Sequence, residues 1–386
     1  MKRILALVLA LVLALSLAAC GSSATTTSAS PSASAAAAST APGLKIAIVT
    51  SPSGVDDGSF NQACYEGIQA FLKDHPNSTV TPVQEKDINN AVTAVGNVVA
   101  DYDVIVTPGY QFGPITSLAQ DNPTKKFILV DSFPSDPASK TGGTIAVDNI
   151  YAMLFCEQES GFFAGISAAM ETKTGKVAVV NGIAYPSNVN YQYGFEAGVN
   201  YANAKLSTKA QYIEISSYAG KDTSNKNVGG NYIGNFNDPD TGKVVGEALI
   251  KQGVDILFVA AGNSGNGVFT AAKEAKGVKV IGCDVDQYND GKNGDSNIVL
   301  TSVLKNMAIN VQRQLNAIAG GSFKGGNYTL KADTDSTGYV SEAGHQQLSD
   351  KTLTALKDAY AKVKSGDIVP PSASSTDTVT SFKGLK

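Results

Sequence analysis

The sequence contains no tryptophan and only two histidines among 386 residues. Histidine is the commonest general acid and base. Here His75 sits in Asp74-His75-Pro76 at a helix end and His345 lies far toward the C-terminus, so both read as surface residues and no catalytic relay is expected. The four cysteines, Cys20, Cys64, Cys156 and Cys283, show no Cys-x-x-Cys spacing, which suggests neither a zinc site nor a disulfide scaffold; beyond Cys20, buried free thiols are expected, with one disulfide among the other three left open. Charged residues make up 17% of the chain, the formal charge is −4, and no Lys/Arg cluster is interleaved with aromatics, so neither nucleic acid nor an anionic membrane surface is an implied partner. Gly-x-Gly-x-x-Gly and the P-loop are both absent, which removes dinucleotide and ATP sites. Gly262-Asn263-Ser264-Gly265 fails as a nucleophile elbow because position 266 is Asn. Asp286-Gln-Tyr288-Asn-Asp290-Gly291 fails as a calcium loop, with Tyr at position 3 and Asn297 at position 12. Neither a metal nor a cofactor is expected, and an enzyme is not.

Nor does any apolar run reach the roughly 20 residues that a spanning helix needs. The longest, Ile4 to Leu17, follows Lys2-Arg3 and ends in Leu17-Ala18-Ala19-Cys20, the layout of a secretory signal with a bacterial lipobox. Residues 1–19 are therefore expected to be an export signal and Cys20 the lipidated first residue of the mature chain, anchoring it on the extracellular or periplasmic side of the cell membrane. Residues 20–43 are almost entirely Ser, Ala and Thr with Pro31 and Pro42, too polar to bury, and read as a tether.

Past residue 44 the chain alternates. Apolar runs at Leu44–Thr50, Val104–Val106, Phe127–Val130, Lys176–Val180, Gln211–Ile215, Ile256–Val259 and Val278–Ile281 are mostly separated by helical patterns, as in Ser59–Lys73, where Phe60, Cys64, Ile68, Phe71 and Leu72 share a face. Near-continuous apolar strands between helices predict α/β folding with doubly wound parallel sheets, and the number of strands predicts two lobes divided at the helix of Glu157 to Met170. The expected boundaries are 44–155 for the first lobe, completed by about 288–318, and 156–287 for the second, completed by about 319–365, with 366–386 a polar tail that trails off.

Ligands of such sheets bind outside the carboxyl ends of the strands. There the sequence places Gly54-Val-Asp56-Asp57-Gly58-Ser59-Phe60-Asn61-Gln62, then Asp131-Ser132-Phe133, Gly234-Asn-Phe236-Asn-Asp238-Pro239 leading into a helix near Gly242, Ala261-Gly262-Asn-Ser-Gly265, and Gly282-Cys283-Asp284-Val-Asp286-Gln287. Asp57, Gly58 and Ser59 are also ordinary helix-opening residues, and an aromatic in a loop is equally able to pack over that loop. Neither reading explains Phe60-Asn61 beside the cap, or Asp recurring at three strand ends, as simply as a shared cleft does.

Taken together, these segments resemble the basic membrane protein family of ABC-transporter substrate-binding lipoproteins, over about Ile46 to Asn306. The resemblance implies a type I periplasmic-binding-protein fold, two lobes joined by a hinge near 150–170 and again near 285–330. It implies a nucleoside ligand, a purine nucleoside foremost, with the base between Phe60 and Phe236, ribose hydroxyls on Asp284, Lys305 at the sugar end compensating Asp284, and Asn61 and Asp131 at the base edge; Asp57 and Gly262 complete the expected ligand-binding set. An ABC permease and its ATPase are the implied partners, and a monomer is expected. The sequence departs from the family pattern at Cys283, where a small aliphatic is usual, and over Val147–Gly161. Two other classes fit the same residues: a sugar-binding or sensory lipoprotein of this fold, which would commonly use the tryptophan missing here, and a hydrolase working through Asp56, Asp57 and Asp131.

Overall fold

The computed structural model describes residues 42–386, so the export signal, Cys20 and all but the last two residues of the tether lie outside the described residues. The body opens with β1 (Lys45–Thr50), α1 (Phe60–Asp74), β2 (Thr79–Gln84), α2 (Ala91–Val98), β3 (Val104–Pro108), α3 (Thr116–Asp121), β4 (Lys126–Val130) and β5 (Ile150–Phe155). It continues through α4 (Glu157–Glu171), β6 (Lys176–Asn181), α5 (Pro186–Lys205), β7 (Gln211–Tyr212), a hairpin of β8 (Gly220–Lys221) and β9 (Asn227–Gly229), α6 (Pro239–Lys251), β10 (Ile256–Ala260), α7 (Gly265–Glu274) and β11 (Lys279–Gly282). A small hairpin of β12 (Lys292–Asn293) and β13 (Ser296–Asn297) precedes β14 (Val299–Lys305), α8 (Met307–Ala319), β15 (Gly326–Leu330), β16 (Thr337–Tyr339) and α9 (Asp350–Ser365).

Two six-stranded sheets form the two lobes, in the orders β15-β5-β4-β3-β1-β2 and β16-β14-β11-β10-β6-β7. Every pairing in them is parallel except that of β14 with β16. The central strands are covered on both faces: Ile46 to Val49 of β1 and Val104 to Val106 of β3 are fully buried, and Ile256 to Ala260 of β10 nearly so. This is the α/β, two-lobed architecture expected from unbroken apolar strands.

The chain crosses between the lobes three times, at β5 to α4, β14 to α8 and β15 to β16. The partition of the C-terminal third differs from expectation. β14 pairs with β11 and belongs to the second sheet, whereas α8 packs on α1 and β15 joins β5 in the first. The first lobe is thus completed by about 307–330 rather than 288–318. Nor does 366–386 trail off: Ile368 and Phe382 are buried in the second lobe's core, where the Phe382 ring meets Phe162 edge-on at 6.0 Å. The remaining expected strand ends shift slightly; only Gln211–Tyr212 of 211–215 pairs, and α6 starts at Pro239, not Gly242.

Helices α4 and α5 pack closely because glycines line their contact. A Cβ on Gly165 would lie 2.1 Å from the Phe195 carbonyl oxygen, and one on Gly194 would lie 2.2 Å from that of Gln158. The approach carries the N-terminal ends of both helices, with Glu157 and Tyr191, to the gap between the lobes.

Candidate functional site

That gap is a cleft of about 670 Å³, its solvent-open mouth included, within the size range of small-molecule sites. All eight residues proposed from the sequence line it: Asp57, Phe60, Asn61 and Asp131 from the first lobe, Phe236, Gly262, Asp284 and Lys305 from the second.

Asp57 uses its carboxylate locally. One oxygen accepts from the backbone amides of Ser59 (3.1 Å) and Gln62 (3.0 Å), the other from Asn61 (3.0 Å), so it caps α1 in place of Ser59. Burial pushes its carboxyl pKa up, against those three amide bonds. The Ser59 hydroxyl, released from capping, reaches across the cleft and donates to Asp284 Oδ2 at 2.8 Å. Tyr191 donates its hydroxyl to Asp284 Oδ1 at 2.9 Å. A carboxylate offers about four lone-pair sites, so Asp284 retains capacity for further donors.

Asp131 and Asp284 follow β4 and β11 in the left-handed region, at φ 64° and 69°. Asp is one of the few residues that tolerates this conformation, and here it turns each carboxylate off the strand end into the cleft. Asp131 Oδ2 pairs with the ammonium of Lys305, whose Nζ also lies 2.9 Å from Glu157 Oε1. All three residues are buried. Glu157 is in turn held by Asn190 Nδ2, which donates to its Oε2 at 3.0 Å. Burial raises the Asp131 carboxyl pKa while Lys305 pulls it down. Burial also works against the Lys305 ammonium, but Asp131 and Glu157 outweigh it and lift its pKa above the usual lysine range. The ammonium stands 5.0 Å from the centre of the Phe60 ring and 5.3 Å from that of Phe155. Its contacts are therefore with Asp131 and Glu157, not with the Asp284 carboxylate that the resemblance paired with it.

The second ring, Phe236, rests on glycine. A Cβ on Gly182 would come within 2.2 Å of it, and Gly262, at φ +53°, has its Cβ direction 3.6 Å from the ring. Its loop is pinned from both sides: Ser264 N donates to the Phe236 carbonyl at 3.1 Å, and Asp238 caps α6 through the Thr241 amide at 3.0 Å. Beyond Phe236 stands Tyr185, with ring centroids 6.1 Å apart, and beyond that Tyr110 of the first lobe, 5.0 Å from Tyr185.

Contacts made by the protein itself hold the lobes together. Besides Ser59 to Asp284, the Gln287 side chain donates to the Gly58 carbonyl (3.2 Å), Ser53 to the Phe236 carbonyl (3.3 Å) and Asn237 to the Pro52 carbonyl (3.3 Å). Glu157, Tyr185, Tyr191 and Tyr110 are the residues that sequence reasoning missed. Tyr110 follows the end of β3 and Tyr185 opens α5, positions that the strand-end rule reaches; Glu157 and Tyr191 lie inside helices and carry no such signal. Cys64 and Cys283 are buried free thiols and Cys156 is half-buried and free; Cys283 lines the cleft.

Comparison with known proteins places this geometry in a family. Residues 44–226 and 217–369 match the Bmp family model, described as ABC transporter substrate-binding protein PnrA-like. A "CD4+ T-cell-stimulating antigen" of Listeria monocytogenes is 32% identical over 84% of this chain and 87% of its own. The "ABC transporter nucleoside-binding protein BmpA" of Lactococcus lactis is 30% identical over 85% and 89%. Among solved structures, an ABC transporter solute-binding protein from Aeropyrum pernix covers 85% of this chain and 94% of its own with a TM-score of 0.68 at 22% identity, a likeness of fold. With two doubly wound lobes closing on one polar, aromatic-lined cleft, the chain belongs to the Bmp family of ABC transporter substrate-binding proteins.

Proposed function

We propose that this protein captures a nucleoside, foremost a purine nucleoside, and presents it to an ABC permease driven by a partner ATPase. The observation that carries the reading is a pair of aromatic rings from opposite lobes, Phe60 and Phe236, in one cleft with the buried carboxylates Asp131 and Asp284. A planar base has two faces to stack on, each contact being worth about 1–3 kcal/mol, and vicinal ribose hydroxyls match a carboxylate that accepts charge-assisted hydrogen bonds. The Lactococcus relative named as nucleoside-binding supports the same ligand class.

Binding works as a hinge. Ligand contacts drawn from both lobes exist only in the closed form, so occupancy shifts the population toward closure, bending at the three crossovers near 155–157, 305–307 and 330–337. We place the mature chain as a monomer on the outer face of the cell membrane, held by lipid on Cys20. Among the described residues no helix is long and apolar enough to cross a membrane.

The test is calorimetric titration of the chain from Gly21 onward with adenosine, guanosine, inosine, uridine, cytidine, ribose and galactose, repeated with Phe236→Ala. Tight nucleoside binding without turnover, weakened 10- to 100-fold in the variant, is expected. Binding of free sugars alone would favour the sugar-binding alternative and sink the nucleoside reading, and conversion of the ligand would revive a hydrolase.

A further inference from the structure

Outside the cleft, a buried acid of the second lobe has no cation beside it. Glu196 of α5 is 6% exposed, and its Oε1 accepts from Gln192 Nε2 at 2.8 Å. Its other partner is a second carboxylate, Glu214, with which it shares a hydrogen bond. The turn that follows the β8–β9 hairpin brings the groups together: the Gly230 amide donates to Glu214 Oε1 at 2.6 Å, and a Cβ on Gly230 would lie 2.4 Å from Gln192 Oε1. Around the pair stand Tyr193 of α5, Tyr212 of β7 and Tyr232 beyond the hairpin, with Asp222 of the hairpin facing Tyr193. None of these is a cation. Ionised carboxylates are acceptors only, so a hydrogen bond between two of them requires one proton held in common. Burial favours keeping it: the Glu196 carboxyl is pushed up to about 8, by burial first, with Gln192 opposing and Glu214 adding to the rise.

What this proton holds leads to the ligand. Gln192 also donates to the Val228 carbonyl of β9 at 2.9 Å and accepts from the Tyr232 hydroxyl at 2.7 Å. Asn231, fully buried, accepts from the Ile215 amide and donates to the Ile213 carbonyl, both at 2.9 Å, so it grips the chain on either side of Glu214. From Asn231 the chain runs along β6, where the amides of Ile233 and Gly234 donate to the carbonyls of Asn181 and Gly182, both at 2.9 Å, and it then delivers Phe236. Hairpin, acid pair and stacking ring are thus one connected unit.

We propose that Glu196 and Glu214 form a proton-held clasp on the β8–β9 hairpin, which loosens as pH rises and slackens the seat of Phe236 with it. The sign follows from linkage. A glutamate freed from the clasp titrates near its ordinary value of about 4.3, below its value in the closed clasp. Between about 4.3 and about 8 the closed form therefore holds a proton that the opened form releases, so opening grows with rising pH across that window and levels off above it. The clasp itself is independent of what the cleft binds; its effect on affinity rests on the nucleoside reading.

Hydrogen exchange of the unliganded chain from Gly21 onward, read over residues 220–236 and corrected for the intrinsic pH dependence of exchange, measures the opening. From pH 6 to pH 8 the opening equilibrium is expected to rise about 10-fold or more in the wild type, and to stay within about 2-fold in Glu196→Gln, whose amide donates to Glu214 at every pH. Glu214→Gln, at the exposed member of the pair, lets the partner donate instead and should flatten the rise as well; thermal melts establish that each variant is folded. Calorimetric titration with guanosine and adenosine at pH 6 and pH 9 then reads the seat of Phe236. The wild-type Kd relative to that of Glu196→Gln should weaken about 3- to 10-fold, a comparison in which the titration of Asp131, common to both proteins, cancels. A hairpin opening that is flat with pH in the wild type, or that rises equally in both variants, would overturn the clasp even if nucleosides bind. A rise confined to the wild type with no nucleoside bound would leave the clasp standing and sink the nucleoside reading, and a flat Kd ratio above an opening hairpin would overturn the link to Phe236.

Discussion

Replacing Lys305 by methionine tests how the floor of the cleft is held. The thioether nearly fills the lysine stem's volume, so the change is chiefly electrostatic. Asp131 and Glu157, buried and separated from solvent by the two lobes, lose their shared cation. Breaking a buried pair in this way costs about 3–5 kcal/mol, and for a chain of this length roughly 1.5 °C of Tm accompanies each kcal/mol, so a fall of about 4–8 °C at pH 8 is expected. The loss should depend on pH with a definite sign. Burial already pushes the Asp131 carboxyl up, and Lys305 is the main group opposing it. Without Lys305 the folded-state pKa rises further above the unfolded value of about 3.9. The folded form then holds a proton that the unfolded form releases, so stability falls as pH rises through that window. The deficit relative to wild type should be largest at pH 8 and shrink toward pH 5. Calorimetric scans of both proteins at pH 5, 6.5 and 8 measure it. A deficit equal at pH 5 and pH 8, or one below about 1 °C at pH 8, would refute the buried ion triad as the structure describes it.

Three further changes probe other parts of the molecule. Gly182→Ala places a methyl group where the Phe236 ring lies, 2.2 Å from it, and should displace the ring and weaken ligand binding about 10-fold with little change in Tm. Ser59→Ala removes a hydroxyl that bridges the two lobes by donating to Asp284, so affinity for every ligand should fall by about 3- to 10-fold, visible in titrations as a uniform offset rather than a change of preference. Phe382→Ala empties a fully enclosed site in the second lobe and should cost about 3–5 kcal/mol, read as a lower urea midpoint with unchanged ligand affinity; a midpoint within error of wild type would mean the C-terminal segment is not part of the folded core.

The parts of the fold that were legible in the sequence share one property: their role is written in their own residues. β1, β3, β4, β6, β10 and β11 are short apolar runs buried on both faces, and burial of that kind demands hydrophobic residues at consecutive positions. The strands passed over include those stabilised from outside. β2 is a largely exposed edge strand carrying Pro82, β15 and β16 are short and polar, and each is a strand because a neighbour's edge offers hydrogen bonds. The lobe that receives β14 was likewise undecidable from its sequence, since Val299–Lys305 would suit either sheet. The 366–386 segment is polar almost throughout, and two buried side chains, Ile368 and Phe382, suffice to dock it.

The candidate site divides the same way. By itself the sequence determined the α/β class, the strand ends where chemistry gathers, and the Asp, Phe, Asn and Gly residues set there, because local backbone needs and the strand-end rule act on neighbours in the chain. Only the tertiary structure decided what those residues touch. Lys305 meets Asp131 and Glu157 across 174 and 148 positions of sequence, and Ser59 meets Asp284 across 225. Such partners are chosen by the closing of two lobes through three crossovers, and a pairing made by the meeting of two surfaces leaves no periodicity or spacing in either strand of sequence that contributes to it.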